Sequence, residues 1–273
     1  MNEIVTIENK VILLTGAFGL IGMTLVKSFA MQGAKVVLAD SNKRLAIKAE
    51  AELKALGLTK NTLVCITDVT KEKSCSACIQ NAIKKFKRID VLINNAAIDA
   101  KFDKSANAVN NSTRFENFPI DLLQKSFDVN VKGLVQITQL VIKQMLKQSY
   151  GNIINVASTY SLVAPNQGLY DFGDGNQQFK PVDYVITKSV IPNLTRYIAT
   201  FYAKNKIRCN AIAPHGIYNN HDEAFLKNFA ELSPMGRMSD KSEITGPFTF
   251  LVSDASSYMT GSILTVDGGW TAW

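Results

Sequence analysis

Tyr184 and Lys188, in Tyr184-Val-Ile-Thr-Lys188, have the types and spacing of a proton-transfer pair. On a helix, residues four apart point the same way, so the ammonium sits beside the phenol and favours its ionised form. A free phenol titrates near ~10, and lowering that value brings it toward the range where it can both give and take a proton. Alone, the pair reads equally as two surface residues of an amphipathic helix. Its company argues for chemistry. Ser158 closes the apolar run Asn152-Ile-Ile-Asn-Val-Ala-Ser158 and offers a hydroxyl to an oxygen on which charge develops. Asn130 lies between them and the N-terminus, in Asp128-Val-Asn130-Val-Lys-Gly133. Singly, Ser158 is a strand-end turn and Asn130 a polar helix position; the set is harder to explain that way.

Upstream, an apolar run ends in a glycine-rich turn, Val11-Ile-Leu-Leu-Thr-Gly-Ala-Phe-Gly-Leu-Ile-Gly22. Gly16, Gly19 and Gly22 allow a tight turn, close approach of backbone to a pyrophosphate, and close packing of the helix whose apolar positions are Ile21, Leu25 and Phe29. Asp40 ends the next apolar run, where a carboxylate can accept both ribose hydroxyls and would repel a 2′-phosphate; this predicts NAD. Two alternatives stand beside it: Asp40 as the N-cap of a helix beginning Ser41-Asn42-Lys43-Arg44, and Lys43 or Arg44 accommodating NADP.

These residues need a frame, and the chain alternates short β-branched runs with helical patterns. Strands are predicted at Val11–Leu14, Val36–Ala39, Leu63–Ile66, Val91–Ile93, Ile153–Val156, Ile207–Ile212 and Ile263–Val266. Runs so uniformly apolar imply burial on both faces. The expected fold is therefore α/β: a Rossmann-type doubly wound parallel sheet of about seven strands with helices on both sides, one domain over 1–273. Two polar, turn-rich stretches, 98–119 and 161–181, interrupt the alternation as insertions. Both follow strand C-terminal ends, where pocket walls or a lid belong.

The 47% hydrophobic content is ample for a core, and no apolar stretch is long enough to span a bilayer. Without a signal-peptide pattern, a cytoplasmic location is expected. The net charge of +7 is spread along the chain, and its densest run, Lys84, Lys85, Lys87 and Arg88, falls at a helix C-terminus, so nucleic acid is not the expected partner. Cys75-x-x-Cys78 has no second cysteine pair, and His215 and His221 are the sole histidines, so no metal is expected. Cys75, Ile79, Ala82, Ile83 and Phe86 recur at helical spacing and point to a core.

The order of these motifs, from about Lys10 to Gly269, resembles the short-chain dehydrogenase/reductase family. The resemblance implies an NAD(P)-dependent oxidoreductase interconverting a secondary alcohol and a carbonyl. Tyr184 would be its general acid/base. Lys188 would hold the nicotinamide ribose, Ser158 would donate to the substrate oxygen, and Asn130 would hold a water linking Lys188 to solvent. The cofactor would lie along Gly16, Phe18, Gly19, Leu20, Ile21 and Asp40. Asp68 and Val69 would flank the adenine, Asn94-Asn95-Ala96-Ala97 would pass beneath, and Pro214, Gly216 and Ile217 would flank the nicotinamide. Homodimers or homotetramers are implied, with Trp270 and Trp273 as candidate subunit contacts.

Several positions depart from the family pattern. Leu20 stands where the middle glycine is usual, a spacing more typical of the extended branch, so a sugar-nucleotide epimerase or dehydratase that recycles NAD internally is an alternative, as is a non-catalytic dinucleotide-binding protein. Ala97 replaces a glycine. His215 intrudes after Pro214, either to touch ligand or to bond a loop. Tyr170 lies closer to the family's serine-to-tyrosine spacing, but Asp174 four positions on would raise its pKa. The two insertions suggest a large or polar substrate. Lys101, Lys104, Arg114 and Lys180 lie in or beside them, read first as solvated surface and second as phosphate contacts. The ending Asp267-Gly-Gly-Trp-Thr-Ala-Trp and the loop at Asp171-Phe-Gly resemble oxidoreductases of flagellin modification and surface-sugar synthesis, which suggests a sugar phosphate or nucleotide sugar.

Overall fold

Strands this apolar need cover on both faces, and in the computed structural model, which describes residues 5–99, 112–172 and 177–273, the central ones have it. Described strands β1 (Val11–Thr15), β2 (Lys35–Asp40), β3 (Thr62–Ile66), β4 (Val91–Asn94), β5 (Gly151–Val156), β6 (Ile207–Pro214) and β7 (Ile263–Val266) form one sheet in the order β3-β2-β1-β4-β5-β6-β7. All neighbours are parallel. Every predicted strand lies inside an observed one.

The helices between them are α1 (Leu20–Met31), α2 (Lys43–Ala55), α3 (Glu72–Phe86), α4 (Ile120–Phe127), α5 (Leu134–Gln148), α6 (Val182–Ser189), α7 (Ile191–Tyr202), α8 (Glu223–Leu232) and α9 (Thr245–Val252). Ile12, Leu14, Val36 and Leu38 pack one way, against Leu25 and Phe29 of α1, Leu53 of α2 and Phe248 of α9. Leu13, Val37, Leu92 and Ile153 pack the other way, against Ala82 of α3, Val141 and Met145 of α5 and Ile198 of α7. Successive residues of a strand thus enter opposite cores, each buried aliphatic side chain contributing roughly 1.5–3 kcal/mol. All four cysteines are free and buried in the second core.

Part of the basic run serves the fold. Lys85 donates to the Thr62 carbonyl (2.8 Å), and Arg88 pairs with Asp90, whose other oxygen accepts from the Val11 amide (2.9 Å). Between α4 and α5 the helix runs on through a π-helical stretch, Asp128–Gly133, which holds Asn130. The described parts of 98–119 and 161–181 meet each other: the Phe179 amide donates to Thr113 Oγ1 (3.2 Å), and Lys180 pairs with Asp99 (2.6 Å). Lys101, Lys104 and Asp174 lie outside the described residues.

A chain of buried polar side chains links the middle of the sheet to the second core. Asn94 Nδ2 donates to Thr138 Oγ1 (2.8 Å) and Asn155 Oδ1 (2.9 Å), and Asn155 Nδ2 donates to Thr195 Oγ1 (2.9 Å), tying β4 and β5 to α5 and α7. Replacing Asn155 by Ala leaves partners on both sides unpaired in a dry site. Asn155→Ala should lose about 2–4 kcal/mol in urea denaturation; a loss under about 0.5 kcal/mol would show the chain to be dispensable.

Candidate active site

The sheet order reverses between β1 and β4, and the crevice beyond their C-terminal ends is where ligands bind in open α/β sheets. Thr15, buried at the end of β1, accepts from the backbone amides of Asn95 and Ala96 (both 3.0 Å). The Asn95 side chain donates back to the carbonyls of Thr15 (3.1 Å) and Gly16 (3.0 Å). Gly16 has φ +62, and a Cβ on it would stand 2.8 Å from Ala96 Cα; one on Gly22 would stand 2.3 Å from the Gly16 carbonyl oxygen. Glycine is required at both positions for the turn to close. Gly19 then caps α1 through its backbone with no side chain on the first-turn amides, and Leu20 and Ile21 begin the helix.

Asp40, at the end of β2, accepts from the Phe18 amide (3.0 Å) and the Asn42 amide (2.9 Å), one on each oxygen. The helix N-cap is Asn42, which accepts from Leu45 N (3.0 Å). Asp40 is therefore not itself the N-cap; it ties the glycine turn to the residue that is, with one amide on each oxygen. Lys43 and Arg44 are exposed in the first turn of α2. Asp68 pairs with Lys71 (3.2 Å) and accepts from Thr70, which holds its carboxyl below the usual range, while Val69 is buried and its carbonyl accepts from Gln136 (2.7 Å). Ala97 is exposed in the loop after β4, Pro214 is buried at the end of β6, and Gly216 and Ile217 follow it, Ile217 packing onto the first core. A glycine turn closed onto β4, an α1 N-terminus without a side-chain cap and a carboxylate at the end of β2 suit a dinucleotide.

Ser158 follows β5, its Oγ accepting from the Tyr160 amide (3.2 Å), and its hydroxyl acts on the phenol of Tyr184 on α6 in the direction that favours the ionised form. Lys188, one turn on, is buried with its ammonium 5.7 Å from the Tyr184 ring centroid, and it donates to the Val156 carbonyl (2.6 Å). Burial pulls its pKa down to about 8, against which Asp99 acts in the opposite sense. Asn130 reaches α6 by a different route. Its side chain forms a reciprocal pair with the Ile98 backbone (2.7 and 3.0 Å) and donates to Thr187 Oγ1 (2.9 Å). The structure thus gathers Ser158, Tyr184 and Lys188, and ties Asn130 to the same helix through Thr187.

Two expectations need correction. Tyr184 was expected below the free phenol's pKa because of Lys188 and a positive oxidised nicotinamide together; Lys188 does not achieve this by itself, and in the folded chain the phenol is raised, first by burial and then by the Asp99 carboxylate. Lys188 points at Val156 instead, and a lowered phenol pKa requires added positive charge. Lys180, read first as solvated, has a side chain only 10% exposed, with its ammonium 4.2 Å from the Tyr184 ring centroid. Tyr170 is engaged elsewhere: its hydroxyl lies 2.8 Å from that of Tyr160 in a cluster with Phe229 and Trp270, and burial and Tyr160 raise its pKa.

His215 takes the loop-bonding reading. Its Nδ1 lies 2.6 Å from Thr159 Oγ1, its ring stacks on Phe229 (5.2 Å) and meets Trp270 (4.2 Å), and burial pushes its pKa down to about 4. Trp270 is accordingly buried within its own chain, not reserved for another subunit, while Trp273 is exposed. Thr15, Asp99, Gln136 and Thr187 were missed by the sequence reading. Only Thr187, inside the Tyr184-to-Lys188 helix, carried a local signal.

Fold and crevice together define a dinucleotide-binding α/β protein. A family model described as "Enoyl-(Acyl carrier protein) reductase" matches residues 16–271. The 7alpha-hydroxysteroid dehydrogenase of Bacteroides fragilis is 32% identical over 97% of this chain and 95% of its own length. Post-translational flagellin modification protein A of Campylobacter coli is 29% identical, over 97% and 99%. A gluconate 5-dehydrogenase from Burkholderia cenocepacia, solved with NADP and tartrate, superposes with a TM-score of 0.83 at 26% identity, over 99% and 98%. The chain belongs to the short-chain dehydrogenase/reductase family of NAD(P)-dependent oxidoreductases.

Burial of Lys188 has a consequence for stability. Its folded pKa, about 8, lies below the ordinary lysine value of 10.5, so the unfolded chain binds more protons between those values and stability rises with pH across that window. At pH 7 the buried charge is a cost. Lys188→Met should therefore raise urea stability at pH 7 by about 1–3 kcal/mol and lose most of that advantage by pH 10; a pH-independent difference would contradict the assigned burial cost.

Proposed function

We propose that the protein interconverts a secondary alcohol and a carbonyl on a polar, carbohydrate-derived substrate, with Tyr184 as general acid/base. The arrangement that carries this reading is the Tyr184 phenol with the Ser158 hydroxyl acting to favour its ionised form and the buried Lys188 ammonium one turn on, at the C-terminal edge of the sheet. Ser158 donates to the substrate oxygen as negative charge grows there, and Tyr184 delivers its proton to that oxygen or removes it in reverse. When bound, the nicotinamide supplies or accepts the hydride. Lys188 holds the ribose hydroxyls, and Asn130, through Thr187 and Ile98, positions α6 against the π-helical stretch. Gly16, Phe18, Gly19, Leu20 and Ile21 hold the pyrophosphate, Asp40 the adenosine ribose, and Asp68 and Val69 the adenine edge. Asn95, Ala96, Ala97, Pro214, Gly216 and Ile217 line the nicotinamide half. The gluconate enzyme supports the carbohydrate reading, and the flagellin modification protein a place in surface-sugar chemistry.

Tyr184→Phe should keep NAD binding by fluorescence titration yet lose turnover by roughly three orders of magnitude or more; unchanged turnover would refute the acid/base role. Net consumption of NADH separates this reaction from internal recycling by an epimerase or dehydratase. Asp40→Ser should raise the NADPH-to-NADH ratio of kcat/KM by about tenfold or more, and no change would remove Asp40 from ribose recognition.

A further inference from the structure

Against α6, with Lys180 between it and the Tyr184 ring, lies a cavity of about 350 Å³ whose walls include Thr113, Arg114, Glu116, Gln167, Phe179 and Lys180. Both of its cations have carboxylate partners, and in each pair the carboxylate is the more exposed member. Lys180 is 10% exposed against 50% for Asp99, and Arg114 is 44% exposed against 61% for Glu116. A lysine free to choose extends its ammonium into water. Lys180 instead turns inward, over the rings of Tyr184 (4.2 Å) and Tyr160 (6.0 Å), while Arg114 lies over Phe179 (5.3 Å). The cations are held by aromatic faces; their counterions reach solvent and can return to it at little cost.

We propose that this cavity receives an anionic group of the substrate, a carboxylate or a phosphoryl, which takes the Lys180 ammonium from Asp99. The inference rests on the oxidoreductase reading for its substrate and adds the specificity residue. Lys180 fixes the charge of what enters, and Asp99 is the replaceable counterion that pairs with the ammonium in its absence. Arg114, on the same wall, provides a second cation for a phosphoryl or an extended acid.

Calorimetric titration of the NAD-saturated protein with D-gluconate, inorganic phosphate and sorbitol tests it. The wild type should bind at least one of the two anions at least tenfold more tightly than sorbitol. Lys180→Met should abolish that preference, and Asp99→Asn, which removes the competing carboxylate, should tighten anion binding severalfold. Gluconate alone binding assigns a carboxylate, phosphate alone a phosphoryl group. Anions no tighter than sorbitol, or anion binding unaltered by Lys180→Met, would overturn the proposal. Should Lys180→Met fail to fold, unaltered binding in Asp99→Asn overturns it and tightening supports it. Failure of the wild type to bind NAD would instead sink the oxidoreductase reading, and the same anion titrations on the protein alone would still decide the role of Lys180.

Discussion

The site depends on how β1 and β4 part. Two parallel strands that run on together bond each other's backbone, but at a switch point their chains leave in different directions and the last amides lose partners. Thr15 resolves this with one buried hydroxyl, which accepts from two amides at the start of the β4 loop and donates to the Ile93 carbonyl (3.3 Å). The Asn95 amide closes the other side of the gap. With those groups satisfied, Gly16 turns away from Ala96, α1 starts where it does, and the loop beyond Asn95 carries Ile98 to Asn130 and Asp99 to Lys180. Both halves of the site hang from this junction.

What the sequence makes legible follows from periodicity and from local chemistry. The seven strands could be read because each apolar run feeds two cores, and the glycine turn and the Tyr184-to-Lys188 helix because their spacing is short. The remainder is non-local. Asp99 and Lys180 stand 81 positions apart, and neither has a neighbour that predicts the other. The π-helical stretch around Asn130 has no composition that sets it off from ordinary helix, yet it is from there that the side chain reaches Ile98 and Thr187. The direction of the Tyr184 shift was misread for a related reason: helical spacing places Lys188 on the correct face but says nothing of the Val156 carbonyl that captures its ammonium.

The charges around Tyr184 form a graded set. Burial works against Lys188 and against phenolate, Asp99 favours the ammonium of Lys188 and disfavours phenolate, and Lys180 opposes the charge on Lys188. His215, held neutral by burial, adds no charge near neutral pH. The folded chain by itself therefore keeps the phenol protonated, the form that can deliver a proton to a nascent alkoxide. In the proposed reaction, carbonyl reduction begins from that form directly, whereas alcohol oxidation first requires positive charge near the ring to draw the proton off. An anionic substrate that displaced Asp99 from Lys180 would bring its own negative charge to the same face, preserving that balance while the substrate is bound. The acid/base group and the counterion exchange would then be two parts of one electrostatic arrangement, with Lys180 as the side chain they share.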